Sequence, residues 1–195
     1  MSLIEETSTM FIKVCGLTTE QQIDWACDLG YDAIGVVVTP RSKRCCSPER
    51  ARALAEHARR KGILSFAVAY EVDEVDDSAS AFDVIQLYEW APLANLAYAS
   101  ATRPQANQHA AYFFYDASVG SGVYAEIPDW VRTLPGRVVI AGGLSVGNVE
   151  SVINRYQPYG LDVSSSLELA PGIKSEALMA EFKAEVVRAT NAGRA

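Results

Sequence analysis

Short apolar runs alternate with amphipathic stretches along most of the chain. The apolar runs, which we interpret as strands, are residues 11–17, 31–38, 63–70, 83–88, 112–118, 137–143 and 160–166. The stretches that we interpret as helices are residues 18–30, 47–62, 127–134, 145–156 and 175–189. Because the runs are nearly continuous rather than alternating in polarity, they are typical of parallel strands covered on both faces. The pattern therefore predicts an α/β fold with a parallel sheet.

Two architectures can hold such a sheet: a closed eight-stranded barrel and an open doubly wound sheet. The polar residues at the ends of the apolar runs help to decide between them. These residues are Cys15, Gln86, Asp116, Gly142, Gly143 and Ser164 to Ser166. They belong to several different strands, and barrel enzymes assemble their sites from many strand ends at one face. An open sheet would concentrate them at one switch point. We therefore predict a (β/α)8 TIM barrel.

The segment between Gln86 and Asp116 is too short for a complete barrel. A fourth helix, a fifth strand and a fifth helix must fit there, yet the segment has room for one ordinary strand–helix unit. Residues 93–100 can form the fifth strand, reached by a bare loop, and residues 103–111 then form a second loop. A proline in each loop agrees with the loss of a helix there. We expect one or two helices to be missing around the fourth and fifth units.

Composition and charge exclude several classes of function. The net charge is −7 and no run of Lys and Arg is present, which argues against a nucleic-acid-binding face. The apolar runs are far shorter than the roughly 20 residues that span a bilayer, and residues 1–6 do not resemble a signal peptide. We therefore expect a cytoplasmic protein that does not contact membranes. A single domain should comprise residues 1–195, with residues 1–10 as a loosely ordered extension.

The cysteines and histidines follow no metal-binding pattern. The cysteines are Cys15, Cys27, Cys45 and Cys46, and the histidines are His57 and His109. The cysteines lack Cys-x-x-Cys spacing, and neither histidine has acidic or cysteine partners at ligand spacing. We expect reduced thiols, with Cys27 in a helix core, and no metal site.

Each polar residue at a strand end can be interpreted either as structural or as functional. Cys15 is either a buried structural cysteine or, next to Lys13, a thiol of lowered pKa that acts as a base. Asp116 is either a structural or capping carboxylate or a functional group at the barrel mouth. The glycine pair at 142–143 and the serines at 164–166 form either tight turns or a phosphate site after the last two strands.

Six motifs, in the same order along the chain, resemble the phosphoribosylanthranilate isomerase family. They are Lys13-Val14-Cys15-Gly16-Leu17-Thr18, Ser42-Lys43-Arg44 with Ser47-Pro48-Glu49, Ile85-Gln86-Leu87, Tyr115-Asp116-Ala117, Ala141-Gly142-Gly143-Leu144 with Asn148-Val149, and Leu161-Asp162-Val163-Ser164-Ser165 with Glu168, Gly172 and Lys174. The resemblance covers residues 11–183.

The resemblance implies an Amadori rearrangement in tryptophan biosynthesis. The substrate would be N-(5′-phosphoribosyl)anthranilate and the product 1-(2-carboxyphenylamino)-1-deoxyribulose 5-phosphate. It implies that Asp116 is the general acid, that Cys15 is the general base, and that Arg44 binds the anthranilate carboxylate. Lys13 and Gln86 would also contact the substrate. No cofactor or metal is implied.

The phosphate site that the resemblance implies combines two strand ends. Its residues would be Gly142, Gly143, Ser165 and Ser166. On the residues alone, Arg44 can also be an ordinary surface arginine, since its loop is polar.

The chain departs from the family pattern at several positions. Family members usually have Gln-Leu-His-Gly after the fourth strand, where this chain has Gln86-Leu87-Tyr88-Glu89. The usual Ser-Gly before the final glutamate is Ser165-Ser166, and the usual Lys-Asp pair is Lys174-Ser175. These departures leave two alternatives open besides the isomerase. One is a paralogue that acts on another phosphosugar amine, and the other is a non-catalytic barrel that binds a phosphorylated metabolite.

Overall fold

Eight parallel strands close into a barrel in the computed structural model, which describes residues 10–192. The strands are β1 (Phe11–Cys15), β2 (Ala33–Val37), β3 (Leu64–Ala69), β4 (Val84–Leu87), β5 (Leu96–Ser100), β6 (Tyr112–Asp116), β7 (Val138–Ala141) and β8 (Gly160–Val163). Each strand pairs with the next, and β8 pairs with β1. The predicted barrel is confirmed, including a fifth strand between two loops.

Within residues 10–192, four α-helices cover the outside of the barrel: α1 (Glu20–Asp28), α2 (Pro48–Lys61), α3 (Val149–Tyr156) and α4 (Glu176–Ala192). Their ends follow local chemistry. The Thr19 and Ser47 side chains accept hydrogen bonds from backbone amides in the first turns of α1 and α2. Gly62 ends α2 in the left-handed conformation, with φ of 74°, which glycine adopts without steric cost.

More helices are missing than the sequence suggested. The connections from β4 to β5 and from β5 to β6 contain no helix, as predicted. The β3–β4 connection contains only 3-10 turns, at Val72–Glu74 and Asp77–Ala81, and the helix predicted at 127–134 is a short 3-10 helix at Asp129–Thr133. That last prediction was wrong because prolines at both ends confine the segment to less than two turns, too short for a stable α-helix.

Side chains fill the inside of the barrel. The inward-facing apolar residues include Phe11, Phe66, Tyr112 and Phe114, whose rings contact one another at centroid distances of 5.6–6.4 Å. Such filling is usual for a TIM barrel, and it closes the end of the barrel opposite the carboxyl ends of the strands. The carboxyl ends are therefore the open face.

A small antiparallel hairpin follows β8 at the open face. A 3-10 turn at Ser165–Leu167 leads into β9 (Glu168–Ala170), which pairs with β10 (Ile173–Lys174) before α4 begins. The last barrel strand therefore ends at Val163, and the serines predicted at its end belong to this turn.

Residues 1–9, which make up most of the predicted N-terminal extension, lie outside the described residues. The single-domain assignment for residues 1–195 stays a prediction. Among the helices that the structure describes, none is both long enough and apolar enough to cross a membrane.

Candidate active site

A cavity opens at the carboxyl ends of the strands and brings together most of the predicted site residues. Its lining includes Cys15, Arg44, Gln86, Asp116, Gly142, Gly143 and Ser165. Lys13 and Ser166, which were also predicted, are not among the lining residues. The residues come from β1, β4 and β6 and from the loops after β2, β7 and β8, as expected for a barrel site built from many strand ends.

Asp116 ends β6, and its carboxylate accepts four hydrogen bonds. Oδ1 accepts from the backbone amide of Ser118 at 2.9 Å and from its hydroxyl at 2.6 Å. Oδ2 accepts from the Tyr88 hydroxyl at 2.6 Å and from the Gly120 amide at 3.2 Å. These contacts fix the carboxylate at the cavity wall, where only 5% of the residue is exposed.

Cys15 ends β1 on the same cavity, and its thiol lies beside Gly35 of β2. A Cβ atom on Gly35 would come within 2.8 Å of the Cys15 Sγ, so the glycine makes room for the thiol. Burial raises the pKa of this thiol above its ordinary value, and the nearby positive charge of Lys13 offsets only part of the increase. The lowered pKa considered from the sequence was therefore wrong, because the cost of desolvation outweighs the neighbouring charge.

Lys13 lies beneath the cavity rather than on its surface. Its side chain is fully buried, and Nζ lies 3.0 Å from Asp162 Oδ1 and 5.3 Å from the ring centroids of Phe66 and Phe114. Burial alone would lower the Lys13 pKa, but the charges of Asp162 and Cys15 outweigh it and raise the pKa. Lys13 was predicted to contact substrate; instead it supports the floor of the site next to Cys15.

Arg44 lines the cavity, and its guanidinium belongs to a chain of ion pairs with Glu168 and Lys174. Its Nε and Nη2 donate to the two oxygens of Glu168 at 2.8 and 2.7 Å, and Lys174 Nζ also donates to Glu168, at 2.8 Å. Burial favours the protonated form of Glu168, but the hydrogen bonds from Arg44 and Lys174 outweigh it and lower the pKa of the carboxyl. Gly16 leaves the space that the Arg44 side chain occupies, since a Cβ there would lie 2.5 Å from Arg44 Cδ.

The glycine pair after β7 lies against neighbouring groups that leave no room for side chains. Gly142 and Gly143 have φ of 89° and 66°. A Cβ on Gly142 would lie 2.6 Å from Asp116 Oδ1, and one on Gly143 would lie 2.2 Å from the Tyr124 backbone nitrogen. Asn148 holds this loop in place by donating to the Gly143 carbonyl at 2.9 Å.

The serines after β8 have different environments. Ser164 Oγ donates to the Cys15 carbonyl at 2.9 Å, and Ser165 is exposed and lines the cavity. The Ser166 hydroxyl donates to the Leu144 carbonyl at 2.6 Å, so its side chain joins the two loops rather than facing the cavity.

Gln86 presents an unpaired polar atom to the cavity. The residue is 2% exposed, and its Oε1 has no hydrogen-bond partner within residues 10–192. A buried acceptor without a partner costs free energy, and one that lines a cavity is available to a ligand.

The sequence model of a family described as N-(5′-phosphoribosyl)anthranilate (PRA) isomerase matches residues 12–185. The chain belongs to the phosphoribosylanthranilate isomerase family. Among its relatives of that name, the one from Chromohalobacter salexigens is 34% identical over 205 residues, covering 90% of this chain and 93% of the relative. The relative from Ralstonia nicotianae is also 34% identical, covering 88% and 90%.

Solved structures of phosphoribosylanthranilate isomerases share the fold. The enzyme from Thermus thermophilus superimposes with a TM-score of 0.78 at 27% identity, covering 92% of this chain and 99% of that one. The enzyme from Pyrococcus furiosus has a TM-score of 0.68 at 26% identity, with coverage of 92% and 99%. Nearly the whole length of each structure is therefore matched, although several helices are missing here.

The residues of this isomerase-family site that were not predicted to belong to it include Asp162, Glu168 and Tyr88. Two of them carried a usable signal. A lysine and an aspartate inside apolar strands need partners when buried, which would have paired Lys13 with Asp162. Glu168 stands in a motif that resembles the family, so its position could have assigned it to the site. Tyr88 was noted only as a departure from the family pattern.

Proposed function

We propose that this protein is a phosphoribosylanthranilate isomerase, which converts N-(5′-phosphoribosyl)anthranilate to 1-(2-carboxyphenylamino)-1-deoxyribulose 5-phosphate in tryptophan biosynthesis. One observation carries the proposal: in a chain of this family, Cys15 and Asp116 line one cavity at the open face of the barrel. The reaction is an aldose–ketose isomerisation, an internal oxidation–reduction that needs no external electron carrier.

Asp116 acts first, as the general acid. After taking up a proton, it donates that proton to the furanose ring oxygen as the bond between this oxygen and C1′ breaks. The lone pair of the anthranilate nitrogen forms a C=N bond, and the sugar opens to a Schiff base. Hydrogen bonds from Ser118 and Tyr88 fix the carboxyl group, so that it needs little reorganisation before proton transfer.

Cys15 acts second, as the general base. Its thiolate takes the proton from C2′, the electrons of that C–H bond form a C1′=C2′ double bond, and the C=N electrons return to nitrogen. Loss of the hydroxyl proton at C2′ and protonation of C1′ give the ketone. Because burial raises the pKa of the thiol, the thiolate is a stronger base once it forms.

Three contacts orient the substrate in this proposal. The Arg44 guanidinium, held by Glu168, faces the anthranilate carboxylate. Gln86 Oε1, which lacks a protein partner in the described chain, accepts from a sugar hydroxyl or the amine. The phosphate lies against the backbone of Gly142, Gly143 and Ser165, which line the cavity after β7 and β8, where barrel enzymes commonly bind phosphate.

Ser166 is left out of this phosphate site, because it does not line the cavity and its hydroxyl already donates to the Leu144 carbonyl. The cytoplasmic location stays a prediction from the sequence.

The test is the loss of substrate fluorescence when the purified protein is added to enzymatically generated phosphoribosylanthranilate. Wild type should turn the substrate over. Cys15→Ala and Asp116→Ala should each lose about 10²- to 10⁴-fold in kcat. Cys27→Ala, which alters a half-buried cysteine on α1, is the matched control and should keep the wild-type rate. If wild type does not exceed buffer alone, the isomerase assignment is wrong, and binding of other phosphosugar amines should then be measured.

A further inference from the structure

Tyr88 directly follows β4 and lines the cavity. Its hydroxyl donates to Asp116 Oδ2 at 2.6 Å, a distance typical of a hydrogen bond from a hydroxyl to a carboxylate. The ring packs against Tyr70, with centroids 5.2 Å apart. Two aromatic rings therefore form the cavity wall next to the proposed acid.

Tyr88 differs from the other donors to Asp116 in where it comes from. Ser118 and Gly120 belong to the loop that begins directly after Asp116. Among the described residues, Tyr88 is the one donor to this carboxylate from another strand end. The Tyr88 phenol therefore links Asp116 to the end of β4. The other donors, Ser118 and Gly120, lie in the loop directly after Asp116 and cannot fix it relative to another strand.

The groups around Tyr88 are mostly acidic. Asp116 faces it from β6, Cys15 from β1 and Asp162 from β8. Burial, together with these charges, raises the Tyr88 pKa well above its ordinary value. The phenol thus keeps its proton across the working pH range and acts as a donor throughout it. A histidine at this position would instead titrate near pH 6.5.

We propose that Tyr88 is a positioning residue that holds the Asp116 carboxyl toward the sugar ring oxygen through a hydrogen bond from the end of β4. The proposal rests on the proposed function, because it assigns Asp116 as the acid. Tyr88 acts through Asp116: it orients the carboxyl but transfers no proton to the substrate.

Turnover in Tyr88→Phe and Tyr88→His separates positioning from substrate binding. Tyr88→Phe keeps the ring and removes the donor, so kcat should fall about 10- to 100-fold, the range expected for loss of a hydrogen bond to a charged group. KM should change less than about threefold. Tyr159→Phe, an exposed tyrosine at the opposite end of the barrel, is the control for the same chemical change and should match wild type.

Tyr88→His supplies a donor again and should recover most of kcat above about pH 7. Below about pH 6.5 the imidazolium charge would favour the Asp116 carboxylate over the acid, so the kcat of this variant should fall relative to that of wild type at the same pH. Equal kcat in wild type and Tyr88→Phe, or a loss that appears only in KM, would overturn the proposal.

A second measurement does not depend on turnover. Proton NMR of the wild-type protein should show a downfield, exchange-protected hydroxyl resonance that is missing in both Tyr88→Phe and Asp116→Asn. Its absence from wild type would overturn the contact itself, whatever the activity. An inactive wild type that shows the resonance would contradict the isomerase assignment and leave the Tyr88–Asp116 contact supported.

Discussion

Lys13 and Asp162 form an ion pair, with Nζ and Oδ1 3.0 Å apart, across the seam where the first strand of the barrel meets the last. The lysine side chain is fully buried and the aspartate is 9% exposed. The two strands are in register at these residues, so the pair faces the inside of the closed ring. A buried ion pair of this kind need not stabilise the fold overall, but removal of one partner leaves an uncompensated charge.

We expect Lys13→Met to lower the free energy of unfolding by about 3–5 kcal/mol, since Asp162 is then buried without its partner. Denaturation in urea measures the change. Glu150→Gln removes a carboxylate from an exposed pair with Arg188 and should cost about 1 kcal/mol or less. A loss in Lys13→Met no larger than that of the control would contradict the role given to the buried pair.

The reactivity of Cys15 toward iodoacetamide should rise with pH and reach half its maximum above the ordinary thiol range. The thiolate is the reactive form, and burial raises the pKa, so the thiol is mostly protonated at pH 7. Peptide mass spectrometry distinguishes Cys15 from the exposed Cys45. A midpoint below the ordinary thiol value would show that the charge of Lys13 outweighs burial after all.

Substitutions at the buried pair should move that midpoint in opposite directions. Lys13 favours the thiolate and Asp162 opposes it, so Lys13→Met should raise the midpoint and Asp162→Asn should lower it. Both variants disturb the same pair, so general loosening of the barrel would shift them the same way. Parallel shifts would therefore refute the electrostatic explanation.

Gly142→Ala should abolish most of the activity, because its Cβ would lie 2.6 Å from Asp116 Oδ1 and displace the carboxylate. Gly136 provides a matched control, since its φ of 87° is similar to the 89° of Gly142, yet a Cβ there would have no heavy atom within 4 Å. Gly136→Ala should cost about 1 kcal/mol of stability from the left-handed conformation and leave kcat unchanged. Equal activity in both variants would count against close contact between the glycine loop and the acid.

Glu168→Gln should raise KM more than it lowers kcat. The neutral amide cannot pair with both Arg44 and Lys174, so the guanidinium that faces the anthranilate carboxylate becomes less well ordered. Steady-state kinetics with phosphoribosylanthranilate measure the two parameters separately. Glu185→Gln, which alters a half-buried carboxylate on α4 that pairs with Arg188, is the control. An unchanged KM in Glu168→Gln would mean that Arg44 keeps its position without this carboxylate.

The strands were predictable because each is a short apolar run that ends in a polar residue, which fixes both its position and its open end. The shortage of helices between Gln86 and Asp116 followed from chain length alone. The 3-10 helix at Asp129–Thr133 was harder to foresee, since its apolar spacing is helical and only the flanking prolines limit its length.

The electrostatics of the site was less accessible from the sequence. The sign of the Cys15 pKa shift depends on the balance between desolvation and the charge of Lys13, and burial depth is a property of the closed barrel. The Ser166 side chain was assigned to the phosphate site because it stands at a strand end. Its hydroxyl instead donates to Leu144, a partner from the preceding loop that sequence position does not indicate.

The uneven helix cover has a consequence for heat resistance. The base lies on β1, beside the strands that α1, α2 and α4 support. The acid ends β6 and Tyr88 follows β4, where the connections are loops and 3-10 turns. Regions with less packed cover open at lower free energy than the rest of a protein. On warming, catalysis should therefore fail before the chain unfolds, and amide exchange should be faster in β4 to β6 than in β1 and β2.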